Sequence, residues 1–221
     1  MTKFGDLFDI VFLMWYSCFI FAKGSRQKKA MKALEEKIVK EGTVLPGNVL
    51  KVGSFLNQQM DSDFIMEIGK EIARLYAGTG VTRILTIESS GIALAVAAGI
   101  AMHVPTVFAK KHRSANMPKA VYTAPVYSFT HHETFEIAVA REYLPAGEKV
   151  LIVDDFLANG NAVRGLMHIV SEAGAELVGC AIAIEKGFQG AGDQLRKEGV
   201  RVESLAIIDA MTDESVTFRA Q

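Results

Sequence analysis

The sequence predicts an α/β fold, a mainly parallel twisted sheet flanked by helices, and three observations carry that prediction. Half of the 221 residues are hydrophobic, enough for a large buried core in one substantial domain. From Met31 onward, short apolar runs alternate with amphipathic stretches of helical length. Neither a linker nor an internal repeat interrupts that alternation.

Taken in order, Met31-Lys32-Ala33-Leu34-Glu35-Glu36-Lys37-Ile38 opens an amphipathic helix. Asp61 to Ala77 carries Ile65, Ile68, Ile72 and Leu75 at helical spacing, behind the capping candidates Asp61 and Asp63. Arg83 to Glu88 reads as a buried strand, and Gly91 to Met102 as a helix rich in Ala and Gly. Val104 to Ala109 is a second strand, ending in Lys110-Lys111-His112-Arg113. Tyr122 to Thr130 and Phe135 to Ala140 read as paired strands around the polar turn His131-His132-Glu133-Thr134. Lys149 to Asp154 is a near-continuous apolar strand, and a helix follows from about Gly160 to Ala173. Leu177 to Glu185 and Val200 to Ile208 complete the strands. In such sheets ligands sit beyond the C-terminal strand ends, so the loops after Ile87, Ala109 and Val153 are expected to face one site.

Composition removes several function classes. A net charge of −1 gives no broad electrostatic footprint for nucleic acid. Cys18 and Cys180 form no C-x-x-C pair or disulfide framework, which fits a reducing cytoplasm. The five His residues are scattered or adjacent, and no metal site is expected from them. No G-x-G-x-x-G follows a strand, which removes the dinucleotide-binding reading.

Residues 1–30 differ from the rest. Leu7 to Ala22 is apolar and aromatic but broken by Asp9, and its sixteen residues fall short of the roughly 17–25 that span a bilayer. The basic run Lys23 to Lys29 follows where a signal peptide would carry its cleavage site. This segment is expected to be a membrane or interface anchor, a docking segment, or the product of a start codon assigned too early. Membrane contact is expected only if it is genuine. The remaining 31–221 form the functional domain.

The most informative run is Val150-Leu151-Ile152-Val153-Asp154-Asp155-Phe156-Leu157-Ala158-Asn159-Gly160-Asn161-Ala162. Two carboxylates at a strand end can accept hydrogen bonds from the adjacent hydroxyls of a ribose. The short Gly-containing loop then opens into a helix, whose free N–H groups and positive dipole end suit a phosphate. The same residues can also serve as a helix cap and an Asn-Gly turn. Glu88-Ser89-Ser90-Gly91 offers hydroxyls and N–H groups at a second strand end, or an N-cap. Lys110, Lys111 and Arg113 supply positive charge at a third, or a solvated basic run.

The 150–162 string resembles the phosphoribosyl pyrophosphate signature of the type I phosphoribosyltransferases. The similarity extends over most of the chain from Met31 to about Phe218. Within that family it narrows to the bacterial xanthine-specific branch, through Leu50-Lys51-Val52-Gly53-Ser54-Phe55-Leu56-Asn57-Gln58-Gln59, Val126 to Thr130, Ile184-Glu185-Lys186 and Val202 to Ala206. Ala158 and Ala162 stand where many members carry Thr, and Asn161 where Gln is common in the branch. The resemblance implies a small hood built from N- and C-terminal segments. It implies that Ala158, Asn159, Gly160, Asn161 and Ala162 hold the 5′-phosphate, while Asp154 and Asp155 hold the ribose. Ser89, Ser90, Gly91 and Lys110 would hold pyrophosphate, with Mg2+ carried by that substrate. Leu50, Asn57 and Lys186 would contact the base, and Phe156 would stack on the ring or belong to the core. The implied activity is transfer of phosphoribose to xanthine in purine salvage, by a cytoplasmic homodimer. A non-catalytic regulator that binds the same sugar phosphate, or an enzyme for hypoxanthine, guanine or adenine, remains as the alternative.

Overall fold

The computed structural model describes residues 27–111, 118–128, 133–212 and 215–220. The apolar segment Leu7–Ala22, the turn His131-His132 and Arg113 lie outside the described residues. Among those described, no helix is long and apolar enough to cross a membrane.

The first helix, α1, runs Gln27–Glu41, so it begins upstream of the expected Met31. A small antiparallel hairpin follows, β1 (Thr43–Leu45) and β2 (Val49–Lys51), then a π-helical turn at Gly53–Asn57. Next come α2 (Ser62–Leu75), β3 (Arg83–Ile87), α3 (Gly91–Met102) and β4 (Thr106–Ala109). A second hairpin pairs β5 (Val121–Ser128) antiparallel with β6 (Glu133–Ala140), and Glu133 and Thr134, expected in the turn, belong to that strand and pair with Ser128 and Tyr127. β7 (Lys149–Leu157), α4 (Asn161–Glu172), β8 (Glu176–Lys186), a short α5 (Ala191–Lys197), β9 (Val202–Thr212) and β10 (Ser215–Phe218) complete the chain.

Six strands form the central sheet in the order β10-β9-β8-β7-β3-β4. All neighbours are parallel except β10, which turns back antiparallel on β9. Parallel strands need both faces covered, which explains their continuous apolar runs. One face buries Ile65, Ile68 and Ile72 of α2, Leu94 and Ala98 of α3, and Leu34 and Ile38 of α1 against Leu151, Val153 and Ala183. The other buries Val163, Leu166 and Ile169 of α4 and the β5–β6 hairpin against Ile152, Cys180 and Ile182. Asp61 caps α2, accepting a hydrogen bond from the Phe64 N–H at 3.2 Å. Ile38 of α1, Leu50 of β2 and Val216 of β10 border one cleft, so the segments expected to form the hood meet there.

One boundary differs in a way that matters. β7 does not stop at Asp154 but continues through Leu157, with Asp154 paired opposite Ile182 and Phe156 opposite Ile184. The ladder to β8 satisfies the backbone across the carboxylates, so two acidic side chains ride on a strand instead of a loop.

Candidate functional site

The C-terminal ends of β3, β7 and β8 open on one edge of the sheet, where Ser89–Gly91, Asp154, Asp155, the loop Ala158–Gly160 and Lys186 lie. β7 delivers Asp154 and Asp155 in very different settings. Asp154 is buried at 5 % exposure, and its Oδ1 accepts the Asp155 backbone N–H at 3.0 Å. Burial, and then the neighbouring Asp155 charge, push the Asp154 carboxyl well above the usual carboxylate range, with Lys111 offsetting part of the shift. Asp155 is only partly covered.

After Leu157 only Ala158, Asn159 and Gly160 intervene before α4. Gly160 takes φ +80°, a left-handed conformation that a side chain would strain, and this turns the chain into the helix. No side chain caps α4, so neither carboxylate plays the capping role left open by the sequence. The N–H groups of the first turn have no partner within the helix and face the loop. Asn161 Nδ2 donates to Tyr127 O at 3.0 Å, fastening that turn to β5. Ala158–Ala162, together with Phe156 and Lys111, line a pocket of about 230 Å³. This is the geometry of an anion cradle.

At the end of β3 the Glu88–Ser89 peptide is cis. Ser89 is exposed, Ser90 sits at the N-cap of α3 without donating or accepting a capping bond, and Gly91 is buried. The hydroxyls are therefore not used as caps. Gly91 packs directly on β7 and β3: a Cβ there would lie 2.7 Å from Asp154 Oδ1 and closer still to Thr86 Oγ1. The pyrophosphate-loop candidate and the ribose candidate thus touch.

The two lysines after β4 part company. Lys111 lines the phosphate-loop pocket, and its backbone N–H donates to Glu88 Oε1 at 2.6 Å. Lys110 instead borders a separate cavity of about 560 Å³ with Pro105, Phe108 and Tyr143, and its backbone bridges to Ala138. The sequence offers both lysines at this strand end and the resemblance gives the pyrophosphate to Lys110; in the structure Lys111 is the one that borders the phosphate-loop pocket. Alternation along an extended segment sends successive side chains to opposite sides, and the sequence does not say which side faces the ligand.

The base candidates lie where the hood meets β8. Lys186 ends that strand, and its Nζ donates to Asn48 O at 2.9 Å in the β1–β2 turn. The same Nζ stands 5.8 Å from the centre of the Phe156 ring. Burial lowers the Lys186 ammonium below its ordinary value. Phe156 is half-buried against the core yet shares the phosphate-loop pocket, so it is at once a core and a site residue. Leu50 is buried on β2, and Asn57 closes the π-helical turn, partly exposed. Lys186 and the hairpin that carries Leu50 are brought together by the bond to Asn48, while Asn57 lies on the turn that follows that hairpin.

Comparison with known proteins gives the family. Residues 53–214 match the family described as the phosphoribosyl transferase domain. A xanthine phosphoribosyltransferase of Limosilactobacillus reuteri is 50 % identical over 188 residues, which is 85 % of this chain and 98 % of that protein. Xanthine phosphoribosyltransferase 1 of Clostridium perfringens is 53 % identical over 190 residues, 86 % of this chain and all of that protein. Among solved structures, adenine phosphoribosyltransferase of Leishmania tarentolae superposes with a TM-score of 0.67 at 18 % identity, covering 82 % of this chain and 90 % of that one. At that identity the likeness concerns the fold.

Proposed function

Since the chain belongs to the phosphoribosyl transferase family, we propose that it transfers the 5-phosphoribosyl group of phosphoribosyl pyrophosphate to xanthine. The products are xanthosine 5′-monophosphate and pyrophosphate, a purine salvage step. The observation that carries the choice of base is about half identity, over nearly the full length of the relatives, to xanthine phosphoribosyltransferases.

In this reading the 5′-phosphate rests on the N–H groups of Ala158–Ala162 and the start of α4. Asp155, with Asp154 beneath it, receives the ribose hydroxyls. The substrate brings Mg2+ on its pyrophosphate, which lies against Ser89, Ser90 and Gly91, while Lys111 lines the neighbouring phosphate-loop pocket. Lys110 keeps a pyrophosphate role only if the loop after β4 turns it inward on binding. The bond from C1 to the pyrophosphate oxygen breaks first, and the leaving group takes the electron pair. Positive charge then spreads over C1 and the ring oxygen. A xanthine ring nitrogen forms the new bond to C1 from the opposite face, and its proton passes to solvent. No covalent enzyme intermediate is needed, so the protein contributes position and field.

Lys186 donates to the 6-oxo oxygen and stabilises negative charge on the ring as the proton leaves. Asn57 donates to the 2-oxo oxygen that hypoxanthine lacks, which leaves an unpaired amide when the wrong base binds. Leu50 and Phe156 flank the ring with apolar surface. The working unit is taken as a cytoplasmic homodimer, on the family resemblance. Incubation with xanthine and magnesium phosphoribosyl pyrophosphate is expected to release xanthosine monophosphate and pyrophosphate in equal amounts. Binding of the sugar phosphate without release of pyrophosphate would instead identify a regulator.

A further inference from the structure

We propose that Arg219 is a positioning residue for base binding, a latch that fixes the turn after β8 and thereby holds Lys186 in place. The inference rests on the base role given to Lys186 above.

Lys186 lies between two buried, closely contacted neighbours. On one side is Glu185, 1 % exposed, whose carboxylate accepts two bonds from Arg196 at 3.0 and 2.7 Å and one from the Ser204 hydroxyl. On the other side is Gly187, also buried. A Cβ on Gly187 would lie 2.8 Å from Ile207 Cγ2, 2.9 Å from Arg219 Nη2 and 3.1 Å from Asp209 Oδ1. The Arg219 guanidinium therefore lies directly on the backbone that follows Lys186.

Arg219 reaches this position from the segment after β10, where its backbone N–H donates to Ile207 O at 2.8 Å. Its Nε donates to Asp209 Oδ1 at 2.8 Å and its Nη1 to Asp193 Oδ1 at 2.8 Å. Asp193 of α5 also accepts from Arg196 at 3.3 Å, which closes a chain of charges from Arg219 back to Glu185. One planar fork thus ties β9, α5 and the segment after β10 around a single turn, a geometry that a lysine's point charge does not reproduce. The Arg219 side chain is 31 % exposed, and exposed pairs add little to global stability. The latch is therefore expected to matter for where Lys186 stands more than for whether the chain folds.

The test uses the full chain and steady-state kinetics with each substrate varied in turn. Arg219→Gln and Asp209→Asn, which cut the latch from either side, are expected to raise KM for xanthine about three- to tenfold, with KM for phosphoribosyl pyrophosphate changed by less than about twofold. Arg219→Lys is expected to recover part of the loss. An unchanged xanthine KM in both variants, or an equal rise in both KM values, would overturn the latch. Lys186→Ala separates the two levels. If it leaves the xanthine KM unchanged, the base role of Lys186 falls and the latch with it. If it raises that KM while Arg219→Gln and Asp209→Asn do not, only the latch falls.

Discussion

Burial divides the labour between the two carboxylates of β7. Asp154, at 5 % exposure and against Gly91, holds its proton to a pH well above the usual carboxylate range, whereas Asp155 keeps solvent contact. In the unfolded chain the Asp154 carboxyl ionises at its ordinary value. Between that value and the raised folded one, the native chain binds the extra proton, so stability falls as pH rises through the window. Asp154→Asn removes the titrating group and is predicted to melt above the parent at about pH 8, with the gap closing towards about pH 4. Melting curves across that range check it; a gap that widened towards acid would mean that the Asp154 carboxylate is stabilised by folding. Asp155→Asn is predicted to lower kcat about a hundredfold with the melting temperature unchanged, the loss expected when one group aimed at transition-state charge is removed. Asp154, Asp155 and Lys186 stand out in the sequence as charges beside apolar strand runs, and the structure sets them at the C-terminal ends of β7 and β8. Which of Lys110 and Lys111 borders the phosphate loop does not, because it depends on which way an edge strand faces.

Among the elements, the strand–loop–helix units β3–α3 and β7–α4 do most to build the site, and both could be read in advance. Each joins an apolar strand to a helix through a three-residue loop, α3 being rich in Ala and Gly and α4 amphipathic. What could not be read were the short pieces: the β1–β2 hairpin, the π-helical turn at Gly53–Asn57, α5 and the antiparallel β10. Three- and four-residue strands carry too few side chains to show a period, and their pairing is decided by tertiary contact. The true end of β7 was also hidden, since paired acidic residues resemble the start of a loop. Where the two units touch, Gly91 leaves no room for a side chain. Gly91→Ala is predicted to destabilise the protein by about 1–3 kcal/mol in denaturant titration and to reduce turnover, because a Cβ would have to displace Thr86 or Asp154. Full stability with full activity in that variant would show that α3 and β7 are not locked together.

At the scale of the molecule, the six-stranded sheet sets one cluster of small, backbone-rich loops beside one lysine. The hood then closes on that lysine through the Asn48 carbonyl. The fold class followed from alternation and composition. The choice of base did not, since the candidate base contacts Asn57 and Lys186 sit on elements far apart in the sequence. The most direct measurement of the central claim is kcat/KM for xanthine, hypoxanthine, guanine and adenine, each with saturating phosphoribosyl pyrophosphate. Xanthine is predicted to be preferred over hypoxanthine by at least about tenfold, with Asn57→Ala eroding that ratio. Equal or better use of adenine, or a ratio untouched by Asn57→Ala, would contradict the account.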